Sequence, residues 1–93
     1  MPVIDERSRP VLARGTRLAM DKATGQPVLL FPEGVVHLSP TAHAILSRCD
    51  AESSVQAIVA ALSQEYEASE TELKADVLQC LEELCARKLL ILV

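Results

Sequence analysis

The chain has 93 residues, of which 49% are apolar but only 2% aromatic, and its formal net charge at pH 7 is −4. A chain of this length builds one hydrophobic core, which leaves little room for an enclosed cofactor cleft. The negative charge and the scarcity of aromatic rings disfavour nucleic acid as a partner, because phosphates are bound by Lys and Arg and unpaired bases stack on aromatic rings.

The N-terminal residues show no apolar periodicity. Residues 1–13 mix charges of both signs with Pro2 and Pro10, and this pattern predicts a flexible tail in front of a folded domain at residues 14–93. The first residues lack the apolar region of a signal peptide, and no apolar run reaches the roughly 18 residues that a membrane-spanning helix needs. We therefore expect a cytoplasmic protein that has no membrane partner.

Three strands are predicted next. Residues 16–20 favour a short strand, and the DKATGQP segment at 21–27 has the composition of a turn. Residues 28–31 form an apolar run that Pro32, Glu33 and Gly34 interrupt, and residues 35–38 resume it as a third strand. The pattern predicts an antiparallel meander.

Three helices follow the meander. Ser39 is the predicted N-cap of the first, with Pro40 in the first helical position. Ser53 and Ser69 are the predicted N-caps of the second and third, because Gln56 and Glu72 stand three residues later as in capping boxes. The third helix is expected to reach about residue 88, before a final LLILV segment. The predicted fold class is α+β, a three-stranded antiparallel sheet followed by a three-helix bundle similar to a winged helix-turn-helix.

No catalytic or metal-binding constellation is predicted. The three cysteines Cys49, Cys80 and Cys85 lie in helix-like apolar patterns without a CxxC spacing, which favours buried thiols. The three glycines are scattered, and neither HExxH nor GxSxG occurs. We therefore expect a protein that is not an enzyme and holds no cofactor.

A winged helix-turn-helix shape also raises the alternative of a DNA-binding regulator. The third helix would then have to present basic and amide side chains to the bases. It is instead rich in acids: Glu70, Glu72, Asp76, Glu82 and Glu83. The alternative is therefore disfavoured, and a gel shift with duplex DNA at low salt would test it.

The third helix is apolar over a wide arc. At about 100° per residue, one narrow stripe contains Leu73, Val77, Cys80 and Leu84. A second group in the neighbouring sector, which also contains Lys74, extends the apolar arc beyond the roughly 100° that a surface helix needs: Leu78, Leu81 and Cys85. Either the terminal LLILV segment covers this second group, or the group lines a groove for another chain.

The predicted third strand is expected to lie at a sheet edge. Its sequence, Val35, Val36, His37 and Leu38, contains neither Pro nor Lys to protect that edge. An extended peptide can add there as a further strand, with alternate side chains directed towards the third helix. The predicted peptide-binding residues are therefore Val35, Val36, His37, Leu38, Lys74, Leu78, Leu81 and Cys85. The same edge can pair with a second copy of the chain, so a homodimer is an alternative.

The segment from Leu29 to Tyr66 resembles the PqqD family. The residues in register with the family pattern include Pro32, Glu33, Leu38, Ile45, Leu46, Cys49, Asp50, Val55, Ile58, Val59, Leu62 and Tyr66. Asp76-Val77 and residues 81–90 also fit. The chain departs from the family in the loop before the second helix, where the family usually has Asp-Gly and an Arg-Thr pair and this chain has Asp50-Ala51-Glu52-Ser53-Ser54.

The resemblance implies a function and two partners. Domains of this family bind the leader part of a precursor peptide and present it to a radical S-adenosylmethionine enzyme, which cross-links a Glu and a Tyr of that peptide on the way to pyrroloquinoline quinone (PQQ). It also implies that the peptide lies between the third strand and the third helix. A leader-recognition module of another peptide-modifying pathway is the alternative within the same fold.

Overall fold

The computed structural model describes residues 4–93 and has an α+β fold, as predicted. The strands are β1 (Pro10–Leu12), β2 (Arg17–Met20), β3 (Pro27–Phe31), β4 (Gly34–His37) and β5 (Leu90–Leu92), and the helices are α1 (Pro40–Leu46), α2 (Val55–Tyr66) and α3 (Glu70–Ala86). β2, β3 and β4 form an antiparallel three-stranded sheet in that order, whereas β1 and β5 pair separately. The predicted meander is confirmed, and its third strand is β4.

The predicted tail is partly wrong. Residues 10–12 form β1, which is antiparallel to β5 with Pro10 opposite Leu92. Pro10 is buried, so apolar contact and pairing with the end of the chain order a segment whose composition indicates flexibility. Residues 1–3 of the predicted tail lie outside the described residues.

The helix N-caps follow the sequence with one shift. Ser39 caps α1 and accepts a hydrogen bond from the Ala42 N–H (3.1 Å), as expected. α2 is capped by Ser54 rather than Ser53, and the Ser54 hydroxyl accepts from the Ala57 N–H. The prediction of Ser53 was wrong because its N–H and its hydroxyl both donate to the Asp50 carboxylate (2.8 and 3.5 Å), so its side chain does not cap α2.

α3 begins at its expected N-cap, Ser69, and turns a slightly different face to the core. Its buried residues are Leu73, Val77, Leu81 and Leu84. Cys80, which was expected in this stripe, is only partly buried, and Leu81 takes its place. The stripe is centred about 25–30° further round the helix than the narrow one drawn from the sequence. Together with α1, α2 and the inner face of the sheet it forms the core.

The loop between α1 and α2 has a strained residue. Ala51 has φ 69°, a left-handed conformation that suits glycine and that costs other residues about 1–2 kcal/mol. The Asp50 carboxylate holds the loop, accepting from the N–H groups of Glu52 and Ser53. These bonds lower the pKa of Asp50 below its ordinary value. The loop thus closes without the glycine that the family resemblance led us to expect.

Replacing Ala51 by Gly should stabilise the domain. The relief of left-handed strain exceeds the extra chain entropy of glycine, so the free energy of unfolding should rise by about 0.5–1 kcal/mol in urea denaturation. The matched control is Ala75→Gly, at an exposed position within α3, which should lower it by about 1 kcal/mol. Equal destabilisation by both changes would contradict the assigned conformation of Ala51.

Candidate functional site

One side of β4 makes no backbone hydrogen bond with any of residues 4–93. The Leu38 N–H donates to the Pro27 carbonyl (3.0 Å), so Pro27 and Leu38, which lie opposite each other, form a hydrogen-bonded pair of the antiparallel ladder. Because such pairs alternate along an antiparallel ladder, the backbone groups of Val36 and Gly34 also point to β3. The N–H and C=O of Val35 and His37 therefore point away from β3, to the open edge of the sheet. Among residues 4–93 no hydrogen bond is made by these groups.

A second set of bonds gives the same result. The Asp21 N–H donates to the Gln26 carbonyl (2.8 Å) at the end of the β2–β3 ladder. In that register the backbone groups of Val28 and Leu30 point to β2. Those of Leu29 point to β4, opposite Val36. The two ladders agree on which residues of β3, and hence of β4, face each neighbour.

The side chains of β4 alternate between the two faces of the sheet. Val36 and Leu38 lie on the inner face and pack against the core with Leu29. Val35 lies on the outer face and is 47% exposed, and His37 is exposed beside it. A strand added at this edge would meet an apolar inner face and an outer face on which Val35 and His37 are exposed and Val28, opposite His37, is buried.

The sheet has a second edge at β2, with a different character. Arg17 begins β2 and is exposed, and Asp21 and Lys22 follow its end. Charges on an edge strand disfavour pairing with another chain. β4, whose only ionisable side chain is His37, is thus the edge better suited to accept a further strand.

The predicted α3 residues are placed unequally. Leu81 is 0% exposed, so the expectation that it lines a surface groove is wrong in the structure as described. Around the helix, Leu81 lies between the buried stripe and the sector of Lys74 and Leu78, and its side chain packs into the core. Leu78 and Cys85 are partly buried at the border of the core. Lys74 forms an ion pair with Glu6.

The N-terminal segment (residues 4–8) was not recognised as part of this region. Its carbonyl groups cap α2, because the Val55 N–H donates to Ser8 (2.9 Å) and the Gln56 N–H to Glu6 (3.0 Å). An open hollow of about 600 Å³ lies between this segment and the helices, lined by Ile4, Asp5, Glu6, Arg7, Gln56, Lys74 and Leu78. The mixed charge of the segment gave no sequence signal for this role.

Direct contact between β4 and α3, the two sides of the predicted peptide groove, is limited. Within the described part of the chain, α3 packs on α2, α1 and β5, and no comparably extensive contact joins it to β4. The hollow that Lys74 and Leu78 line contains no residue of β4. The predicted site residues therefore form two separate surfaces, Val35–Leu38 on the sheet edge and Lys74 with Leu78 on α3.

The three thiols differ in their surroundings. Burial raises the pKa of the Cys49 thiol to about 12, with smaller contributions from Cys80 and Asp50. Burial also raises the pKa values of Cys80 and Cys85. The five-residue spacing puts Cys80 and Cys85 about 140° apart around α3. The two thiols therefore lie on different flanks of the helix, and the reactivity of each measures the exposure of its own flank.

Two further properties of residues 4–93 bear on function. No group of three or more His, Cys, Asp or Glu side chains is arranged to hold a metal ion. No helix in the same range is both long and apolar enough to cross a membrane.

An exposed sheet edge is the feature to which modules that work by β-strand addition bind extended peptides. The family model of the coenzyme PQQ synthesis protein D (PqqD) matches residues 27–90. This chain is 38% identical over 90 residues to the PqqA binding protein of Xanthomonas axonopodis pv. citri, covering 97% of this chain and 98% of that protein. It is 44% identical over 73 residues to the PqqA binding protein of Azotobacter vinelandii, covering 78% of each. The chain belongs to the PqqD family.

Solved structures agree on the fold. The solution structure of the PqqD part of Methylobacterium extorquens PqqCD, described as a functional, stand-alone RiPP (ribosomally synthesised and post-translationally modified peptide) recognition element, matches with a TM-score of 0.85 and 32% identity over 96% of this chain and 95% of that one. The crystal structure of PqqD from Xanthomonas campestris gives 0.59 with 36% identity over 94% of this chain and 97% of that one. The family resemblance and the α+β fold class are thereby confirmed.

The thiols should differ in reactivity in the order of their burial. At pH 8 Cys49 should resist iodoacetamide until the domain is unfolded in urea, because only the thiolate reacts and burial keeps this thiol protonated. Cys80 and Cys85, which are partly exposed, should be modified in the native state. Peptide mass spectrometry would give the three modification rates. If Cys49 in the native protein reacted as fast as Cys85, its packing in the core would be contradicted.

Proposed function

We propose that the chain is a non-catalytic chaperone of PQQ biosynthesis, which binds a PqqA-type precursor peptide as an added strand on β4. The observation that carries the proposal is the pair of outward-facing residues Val35 and His37, whose backbone groups have no partner among residues 4–93, at an edge without Lys, Arg, Asp or Glu. Relatives that match nearly the whole chain bear the name PqqA binding protein, which supports the identity of the peptide.

The energetics are sufficient for a reversible complex. Two residues with one donor and one acceptor each permit four backbone hydrogen bonds, each worth about 1 kcal/mol net. Two or three buried apolar side chains of the peptide would add about 1.5–3 kcal/mol each. Ordering of the peptide opposes both contributions. The balance is compatible with micromolar affinity, which corresponds to about −8 kcal/mol.

We take the second surface that contacts the peptide, besides β4, to be the α3 flank formed by Lys74, Leu78 and Cys85. Leu78 and Cys85 are partly buried beside the core and offer apolar surface, whereas Leu81 supports that flank from within. Lys74 would contact the peptide by exchanging its ion pair with Glu6. An ion pair between two half-exposed side chains is worth at most about 1 kcal/mol, so the exchange costs little.

The bound peptide would then be presented to a radical S-adenosylmethionine enzyme that cross-links its Glu and Tyr. The family membership supports this step, and the chemistry would belong to the enzyme. A homodimer through β4 would use the same backbone groups as the peptide, so the two forms would exclude each other. Dilution should therefore strengthen peptide binding if a dimer forms.

Val35→Pro should weaken peptide binding and leave the fold intact. The Val35 N–H points away from β3, so proline removes a donor to the peptide without breaking the ladder. We expect the Kd for the PqqA peptide encoded with this chain to rise about tenfold in titration calorimetry.

Two controls separate the donor from other effects. Val35→Ala keeps the N–H and should change the Kd by less than about threefold. Val36→Pro removes an N–H directed to β3 and should instead destabilise the sheet, seen as a lower melting temperature. An unchanged Kd for Val35→Pro would contradict the proposed edge.

Alkylation with the peptide bound should locate the α3 flank. Because Cys85 lies on the proposed flank and Cys80 about 140° away, saturating PqqA peptide should slow the modification of Cys85 and leave that of Cys80 nearly unchanged. Protection of Cys80 alone would place the peptide on the other side of α3 and contradict the proposed flank.

A further inference from the structure

We propose that Gly34 is the specificity-determining position of β4, leaving room for one bulky apolar side chain of the bound peptide, and that the peptide is recognised through apolar residues at alternate positions. The inference rests on the proposed function and deepens it, because it states which sequence pattern the site accepts. Its basis is the face on which each residue of the β3–β4 hairpin lies.

The inner face of the hairpin is apolar and continuous with the core. In the observed register Leu29 is opposite Val36, and Phe31 is opposite Gly34. Leu29 is fully buried, and Phe31 and Val36 pack against the core cluster. Val28 and Leu30 alternate to the other face, and neither belongs to that cluster. The inner face at the open edge is therefore formed by Gly34, Val36 and Leu38.

A strand added to this edge inherits the same alternation. Directly opposite residues of paired strands share a face. Peptide residues opposite Val35 and His37 would exchange backbone bonds and direct their side chains to the outer face. Those opposite Gly34, Val36 and Leu38 would direct theirs to the inner face, beside uncharged neighbours. The pattern predicted in the peptide is thus apolar at every second residue.

Gly34 is not required by the backbone. The other two glycines, Gly15 and Gly25, have φ values of 85° and 72° and occupy turns, where side chains are disfavoured. Gly34 has no positive φ. A Cβ at this position would meet only the Phe31 ring, at 3.5 and 4.0 Å, which is ordinary contact. Neither conformation nor packing within residues 4–93 therefore explains a glycine there.

A glycine within a strand weakens that strand and often marks a place where a ligand comes close. At Gly34 the missing side chain leaves the ring of the partly buried Phe31 as the nearest neighbour. A large aliphatic or aromatic side chain from the opposite strand can lie across the glycine and contact that ring. The hairpin residues on this face are apolar or glycine and offer no partner to a charged side chain.

The test combines two substitution series measured by titration calorimetry. Each residue of the PqqA peptide is first replaced by Asp, and affinity should fall at least tenfold at alternate positions within one segment and by less than threefold between them. Each sensitive residue is then replaced by Ala and measured against the wild-type protein and Gly34→Val. One position should lose about tenfold with the wild-type protein and less than twofold with Gly34→Val, because valine already fills the space.

Controls and contrary results are defined by the same geometry. Gly34→Ala should reduce the affinity loss at the same peptide position by a smaller amount, and it serves as the control if the valine variant misfolds. Val35→Ala, on the outer face, should leave that loss unchanged. Equal losses for every peptide under Gly34→Val, or no alternation in the Asp series, would overturn the inference while peptide binding stands. If the unmodified PqqA peptide fails to perturb the Val35 and His37 amide signals, the proposed function itself fails.

Discussion

The register of the β3–β4 hairpin is the constraint on which the functional account depends. Because the turn at Pro32 and Glu33 places Phe31 opposite Gly34, the backbone groups of Val36 are used inside the sheet and those of Val35 and His37 are not. A shift of one residue would reverse both the free donors and the faces of every side chain in the strand. The inner apolar face fixes the register, since Leu29 and Val36 must both reach the core.

The helices hold that edge in place rather than form it. Leu38 is buried at the end of β4, and the chain enters α1 directly after it through the Ser39 cap. α3 supplies the fully buried Leu81 and Val77 to the same core. The N-terminal segment completes the α2 terminus through the carbonyl groups of Glu6 and Ser8.

Much of the fold could be predicted from local patterns, and the failures have physical causes. The meander, the three helices and the caps Ser39 and Ser69 follow from turn residues and apolar periodicity. β1 was missed because its order comes from pairing with β5, at the far end of the sequence. Periodicity gave a wide apolar arc on α3 but could not decide that the core takes Leu81 and leaves Cys80 at its border. The open edge at residues 35–38 was predicted, but the register was needed to tell which of these residues have backbone groups directed to the open side. The contact of Lys74 with Glu6 had no signal in the sequence.

The most direct test of the central claim is amide hydrogen exchange of the β4 residues, with and without the PqqA peptide. In the free protein the N–H groups of Val36 and Leu38 should exchange slowly because they are bonded to β3, and those of Val35 and His37 should exchange fast. The account predicts that bound peptide slows Val35 and His37 selectively. Fast exchange of these two amides in a saturated complex, or slow exchange in the free monomer, would contradict it.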